Sequence, residues 1–385
     1  MTTKVIYVAI VRLTDKMAVD WHIDYLIERG VSVEYWDIVG LVREQHSERG
    51  ARSPAWLHVF NSFAEVEERL RLPENRDAFY VMLVSYTGRL SRIFRLLSRY
   101  DCRMVKFASG ALPQDPAFKW RKVAAWLAAP VRCANEIVNR LKASALRRMK
   151  LVKPFAITFA AGQVPMGGGN YSARVVPINF FDYDRYMEVR AAAGRRLVPE
   201  RYAVFLDSNL PHHSDLELCG VRPIDAVGYY RSLNRFFGLL EQHHGIRVVI
   251  AAHPRANYDE SLFEGRAIYR LATAELVQDT EFVLAHTSTS MSYAVLNGKP
   301  LIFIYTAGMA AAYDKWLLRE MRCFADYLDV PVYNVDEVRE GREVELRQAN
   351  RARYEHYKYN FLTSPQSEDV PTREIVWREL QARSY

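Results

Sequence analysis

The chain has 385 residues, 50% hydrophobic and 12% aromatic, a length and composition that favour two globular domains, each able to bury its own core. No stretch approaches the roughly 20 apolar residues of a membrane-spanning helix, and the start, Met1-Thr2-Thr3-Lys4 before a strand-like run, lacks a signal-peptide layout, so a cytoplasmic protein is expected. Cys102, Cys133, Cys219 and Cys323 are scattered with no paired spacing, which argues against a disulfide framework or a cysteine-based zinc site and for reduced, buried thiols.

In chain order, residues 5–11 read as a strand, 16–29 as a helix closed by Gly30, 31–39 as a strand, and 79–86 and 104–108 as buried strands. This alternation predicts a parallel sheet with right-handed crossovers. The formal charge of +7 is concentrated just beyond. Residues 119–153 hold ten basic side chains and the single acid Glu136, so the remainder of the chain is slightly acidic. Trp120, Val123, Trp126 and Leu127 precede Pro130, and Ala134, Ile137, Val138, Leu141, Ala145 and Met149 follow at helical spacing. The segment reads as an amphipathic basic hairpin or broken helix. Its two readings are a solvated helix packed on the domain by its apolar stripe and an element lying on an anionic bilayer. In the second case the protein would be peripheral on the inner face of the cytoplasmic membrane. No RNA- or DNA-binding motif accompanies the patch, so no nucleic acid partner is expected.

Residues 156–161 give a further strand, followed by a glycine-rich loop over 162–169. Gly167-Gly168-Gly169 lacks the Lys-Ser/Thr of a P-loop and the spacing of a dinucleotide fingerprint, and reads as a flexible turn. After the polar stretch 190–201, residues 202–206 form a strand ending at Asp207 and 224–244 a helix before Gly245. Short strands follow at 247–252, 268–271 and 281–285, then a helix over 292–296 ended by Asn297-Gly298, and a last buried strand over 301–305. Residues 313–327 and 345–359 look helical, and the tail beyond Thr363 is polar and partly disordered. The expected domains are 1–185, a Rossmann-like acceptor side carrying the 119–153 insertion; a linker at 186–201; a Rossmann-like donor domain over 202–345; and a C-terminal helix and tail over 346–385.

The most informative residues stand at the ends of two second-half strands. His253-Pro254-Arg255 closes one, and His286-Thr287-Ser288-Thr289-Ser290 closes another about thirty residues later. In open α/β sheets ligands bind at the carboxyl ends of the strands. An imidazole donating to an anionic oxygen, with Ser/Thr hydroxyls and helix N-terminal amides, suits a phosphate diester or diphosphate. His286 has two readings, a structural hydrogen bond or a ligand contact, and Ser288 or Ser290 can serve as an N-cap as well as a ligand.

Asp207-Ser208-Asn209 after a strand, His253-Pro254, and Ser288-Thr289-Ser290 running into an Ala294 helix and Gly298-Lys299-Pro300 resemble the second domain of GT-B glycosyltransferases of bacterial surface-polysaccharide biosynthesis. Sialyltransferase-like and Kdo-transferase-like enzymes with an HP motif and a serine-pair motif are the nearest, and wall-teichoic-acid glycerophosphotransferases are more distant. The match covers residues 202–305; the first half is similar only in its Rossmann-like layout. Residues 177–184, Pro-Ile-Asn-Phe-Phe-Asp-Tyr-Asp, also resemble the junction of uncharacterised surface-carbohydrate proteins. The resemblance implies two Rossmann-like domains facing across a cleft, a CMP-linked nonulosonic acid donor of the Kdo or sialic type, a surface-glycan or lipid-linked acceptor, and inverting transfer without metal or cofactor. It places the donor phosphate on His253 and Ser288 to Ser290, with Pro254, Arg255, His286 and Thr287 beside them.

Inverting transfer needs a base within hydrogen-bond reach of the acceptor hydroxyl. Asp207, at a strand end, ranks first, Asp15 in the loop after the first strand second, and His212 third. Asp182-Tyr183-Asp184 is set aside as a metal motif, because Asp-x-Asp belongs to a one-domain architecture and N-capping by Asp182 or Asp184 is simpler. His212-His213 and His243-His244 lack zinc-site spacing. Two rivals stand beside the sugar transferase: a CDP-glycerol-type polyol-phosphate transferase using the same residues, and a non-catalytic protein that binds nucleotide or glycan.

Overall fold

Seven short runs with few charges make the first sheet: β1 (Lys4–Ala9), β2 (Ser32–Asp37), β3 (Leu57–Val59), β4 (Phe79–Met82), β5 (Arg103–Ala108), β6 (Ile157–Ala161) and β7 (Val175–Ile178). They are ordered β3-β2-β1-β4-β5-β6-β7, with every neighbouring pair parallel. Six more make the second: β8 (Tyr202–Leu206), β9 (Arg247–Ala251), β10 (Ile268–Tyr269), β11 (Val283–Ala285), β12 (Leu301–Tyr305) and β13 (Val332–Asn334). Their order is β10-β9-β8-β11-β12-β13, again all parallel. The inner strands read as continuous apolar runs because helices cover both faces of a parallel sheet; Val204, Phe205, Val283 and Leu284 are fully buried. The computed structural model describes residues 3–42, 52–113, 130–164, 171–192, 194, 196–212, 224–253, 256, 259–313 and 317–382.

The chain divides into two compact units, Met1–Ser109 with Ala117–Asn179 and Ser364–Tyr385, and Gly110–Pro116 with Phe180–Thr363. Each has the Rossmann order. The first strand of the unit lies mid-sheet, the chain adds two strands on one side, then returns to add the others on the opposite side. The reversal falls between β1 and β4 in the first unit and between β8 and β11 in the second.

Local chemistry accounts for the helix that follows β8. Asp225 caps Ala226–His244 by accepting from Val227 N at 3.2 Å and Gly228 N at 3.1 Å, and Gly245 closes it in the left-handed region at φ 60°. Tyr229, Leu233, Phe236, Phe237 and Leu240 are its buried face.

Several expectations need correction. The single helix over 16–29 is two, Asp15–Asp20 and Ile23–Glu28, because His22 takes a left-handed backbone at φ 58° and the Trp21 carbonyl accepts from the Tyr7 hydroxyl at 2.8 Å. The helix expected over 313–327 is present as Leu317–Leu328, and the helix Ala307–Tyr313 before it was not expected; residues 314–316 lie outside the described residues. Over its described residues, 364–382, the tail beyond Thr363 is ordered. It forms a helix, Thr372–Gln381, whose Val376 and Leu380 are buried in the first unit. Thr372 Oγ1 accepts from Asn179 N and donates to Asn179 O, both at 3.0 Å, and Tyr25 donates to Glu374 at 2.6 Å. Strands β3, β7 and β13 escaped the sequence reading, which took 301–305 as the last strand. Pro177 fits in β7 because that strand is at the sheet edge, where a missing N–H costs no ladder bond. Asp182 and Asp184 do not cap the helix Phe181–Ala191; Phe180 is its N-cap, and the acids lie in the first turn, where the helix dipole favours them. Asp182 hydrogen-bonds the Tyr293 hydroxyl. Gly167, Gly168, Gly169 and Cys219 lie outside the described residues.

Candidate functional site

The second unit brings three loops side by side at one sheet edge. In register, Leu206 of β8 pairs with Ala251 of β9 on one side and Ala285 of β11 on the other. The ladder runs one step further, since Asp207 N donates to Ala251 O at 3.1 Å. Two residues past each last pair stand Ser208, His253 and Thr287. Adjacent strands lie about 4.8 Å apart, so Ala251 and Ala285, from which the chain runs on to His253 and Thr287, stand on either side of Leu206 at roughly 10 Å from each other. This row lies at the reversal of strand order, the crevice where open α/β sheets bind ligands.

Asp207 is buried, at 6% exposure, and Ser208 at 8%. Asn209 takes a left-handed backbone at φ 49°, turning the chain into the short 3-10 helix Leu210–His212, where His212 is exposed. After β9, Ala256 N donates to His253 O at 3.0 Å and Arg270 donates to Ala256 O at 2.6 Å. His253 is half-buried. Pro254, Arg255 and His213 lie outside the described residues.

After β11, Ser288 caps a 3-10 turn, Thr289–Met291, that runs into the helix Ser292–Leu296. Its Oγ accepts from Ser290 N at 3.3 Å and meets Ser290 Oγ at 2.7 Å, so the two hydroxyls are already paired with each other. Thr289 is exposed, and Ser292 Oγ donates to its carbonyl at 2.7 Å.

His286 makes structural hydrogen bonds. It is fully buried, Nδ1 lies 2.6 Å from Ile304 O and Nε2 2.8 Å from the Tyr229 hydroxyl. A carbonyl can only accept, so the neutral ring donates from Nδ1 and accepts from Tyr229 through Nε2. The ring thereby ties β11 to β12 and to the helix Ala226–His244. Burial lowers its pKa from 6.5 to about 4. A folded-state pKa below the unfolded value means that the unfolded chain binds the extra proton, so this stability is present above about pH 6.5 and is lost as pH falls toward 4. The loss amounts to about 3 kcal/mol by pH 4. Buried His22 of the first unit is shifted to about 4 by burial and then by Arg373, and adds in the same direction. The urea midpoint should fall across this window, and less steeply in His286→Gln; a flat midpoint would refute the buried neutral state.

The neighbouring Tyr230 is a site residue the sequence reading missed. Among the described residues, the buried hydroxyls of Tyr230, Ser208 and Thr287 find no hydrogen-bond partner. Burial and then the charge of Asp207 push the Tyr230 pKa up, which keeps it a protonated donor. A buried hydroxyl without a partner costs about 1–3 kcal/mol, so three around one row mark a surface suited to a polar ligand. The available signal was Tyr230's position one residue after Tyr229, near the start of a helix that follows the site strand.

Asp15 lies elsewhere, in the first unit. It is the first residue of the helix Asp15–Asp20, capped by Thr14, and its carboxylate is 81% exposed. Arg52 pairs with it and also with Asp24 at 2.9 Å. Among the described residues, no group of three or more His, Cys, Asp or Glu could hold a metal ion, and no helix is long and apolar enough to cross a membrane.

The chain is an α/β protein of two Rossmann-like units, a GT-B-like fold class, with a row of polar side chains at the strand reversal of the second. No protein-family model and no curated protein matches it. Solved structures similar to it include CalG4, the calicheamicin glycosyltransferase, at 12% identity and a TM-score of 0.50, covering 100% of this chain and 99% of that one. A variant of the wall teichoic acid polymerase TagF is similar at 10% identity and a TM-score of 0.50, covering 99% and 88%. At such identities the likeness is one of fold.

Proposed function

We propose that the protein is a glycosyltransferase that takes a sugar from a nucleotide-linked donor held on the second unit, with the first unit serving the acceptor. The observation that carries this reading is the row His253, Ser208 and Thr287 at the strand reversal, with the partnerless hydroxyls of Ser208, Thr287 and Tyr230 around Asp207. Such a surface suits the oxygens of a sugar-linked phosphate. The sugar-transferring CalG4 shares the fold and agrees with it.

In the proposed reaction the acceptor hydroxyl attacks the anomeric carbon from the face opposite the leaving group. The bond between that carbon and the phosphate oxygen breaks, and the hydroxyl proton passes to Asp207. Negative charge grows on the leaving phosphate, where His253 and the Ser288–Ser290 hydroxyl pair donate to it; donors placed in advance for a developing charge lower the barrier. The donor we favour is a CMP-linked nonulosonic acid of the Kdo or sialic type, and the acceptor a surface glycan or a lipid-linked glycan, with inversion and without a metal. TagF, a wall teichoic acid polymerase of the same fold, supports a second reading in which the same residues serve attack on phosphorus in a CDP-polyol.

A thermal-shift screen with CMP, CDP, UDP and GDP tests the donor site. At a hundredfold excess over Kd, binding to the native state adds about 2.7 kcal/mol of stability. CMP should raise the midpoint most, and no shift with any nucleotide would sink the reading. Product from a CDP-alditol and none from a CMP-sugar would favour the second reading, and saturable binding without product from either would favour a non-catalytic binding protein.

A further inference from the structure

The basic helix Pro130–Arg148 of the first unit is mounted with its apolar stripe outward. At 3.6 residues per turn, Asn139, Ala143 and Leu146 form one stripe and Ala134, Ile137, Val138, Leu141 and Ala145 another on roughly the opposite side. The first stripe is the attached one. Leu146 is buried at 7% exposure, the Tyr86 hydroxyl donates to Ala143 O at 2.9 Å, and Gly88 lies so close that an added Cβ would stand 2.5 Å from Asn139 O. Arg147 is stacked between the rings of Tyr86 and Tyr171, at 4.3 and 4.5 Å. The second stripe is exposed: Val138 at 61%, Leu141 at 64% and Ile137 at 38%, with Met149 at 59% and Leu151 at 44% continuing it. Packing of the helix on its domain by the apolar stripe, one of the two sequence readings, is therefore not what the first unit shows.

An apolar stripe turned away from the body that carries it needs another partner. Three exposed cations accompany this one, Arg148 within the stripe at helical spacing, Lys142 beside it and Lys150 just past the helix end, in a segment of ten cations and one acid. That combination is complementary to a surface both apolar and anionic. We propose that the outward face of the helix Pro130–Arg148 docks on an anionic lipid bilayer, with Val138 and Leu141 entering the headgroup boundary and Lys142, Arg148 and Lys150 facing lipid phosphates. The inference stands apart from the donor site, which lies in the other unit.

Flotation of the full chain with vesicles of phosphatidylcholine, with and without phosphatidylglycerol, tests it. The protein should bind the anionic vesicles at low salt and leave them at about 1 M salt, where the Debye length shrinks to about 3 Å. Neutralising Lys142 and Arg148 to Gln should weaken the partition roughly fivefold for each charge. Val138→Glu with Leu141→Glu should abolish it while leaving the thermal midpoint unchanged. No binding to either vesicle, or equal binding to both, would overturn the proposal. So would vesicle binding retained alongside a lowered midpoint in the Glu variant, which would show that the stripe is covered by the chain itself.

Discussion

His253→Ala should lower turnover of a CMP-linked donor by roughly 100-fold or more, the effect of losing one preorganised donor to a leaving group. The side chain is half-buried at the end of β9, and its loop is tied by backbone contacts of Ala256 to His253 O and Arg270. Truncation therefore leaves the fold in place, and the urea midpoint should match the wild type. The loss should appear in kcat more than in KM, because the phosphate gains charge only as the bond breaks. Single-turnover kinetics with saturating donor measure this directly. Near-normal turnover would remove His253 from the reaction and with it the assignment of the donor phosphate to this row.

Asp207→Asn should abolish transfer by roughly 100-fold to 10,000-fold while sparing nucleotide affinity, since the amide keeps the shape and cannot accept a proton. Asp15→Asn should have a small effect. The physical contrast is environmental. Asp207 is buried beside Ser208 and Tyr230 at the strand reversal, whereas Asp15 is a solvent-exposed helix residue already paired with Arg52. Exposed ion pairs are worth little. Transfer assays alongside equilibrium nucleotide binding separate the roles. Loss of transfer in Asp15→Asn with normal activity in Asp207→Asn would move the base to the first unit, and His212→Gln would then be the remaining arm in the second.

Much of the second unit was legible because its strands are buried on both faces. Runs such as Tyr202–Leu206 and Leu301–Tyr305 can be little else when turn residues bound them, and the polar residues that end them fall at the ligand edge of a parallel sheet. Asp225 and Gly245 likewise mark their helix from both ends. Where local signals were weak, the reading failed. Leu57–Val59 is too short to show a period, Pro177 disguises an edge strand, and the break at His22 depends on a backbone turn that no residue type announces.

The sequence by itself determined the α/β class, the parallel sheets and the identity of the polar residues that end β8, β9 and β11, because these follow from burial pattern and chain order. Only the tertiary structure decided which of those residues share a row, since register depends on strand pairing across some eighty residues of chain. It also decided that His286 is held by Tyr229 and Ile304 and that Tyr230 belongs beside Asp207. The helix Thr372–Gln381 returns to the first unit for the same reason: its hydrogen bonds to Asn179 and Tyr25 join segments far apart in the chain, and no local pattern carries such a contact. The orientation of the basic helix was open as well. A hydrophobic period shows that a helix has an apolar face, but which face meets the protein is set by the shape of the surface it docks on, here the close approach at Gly88.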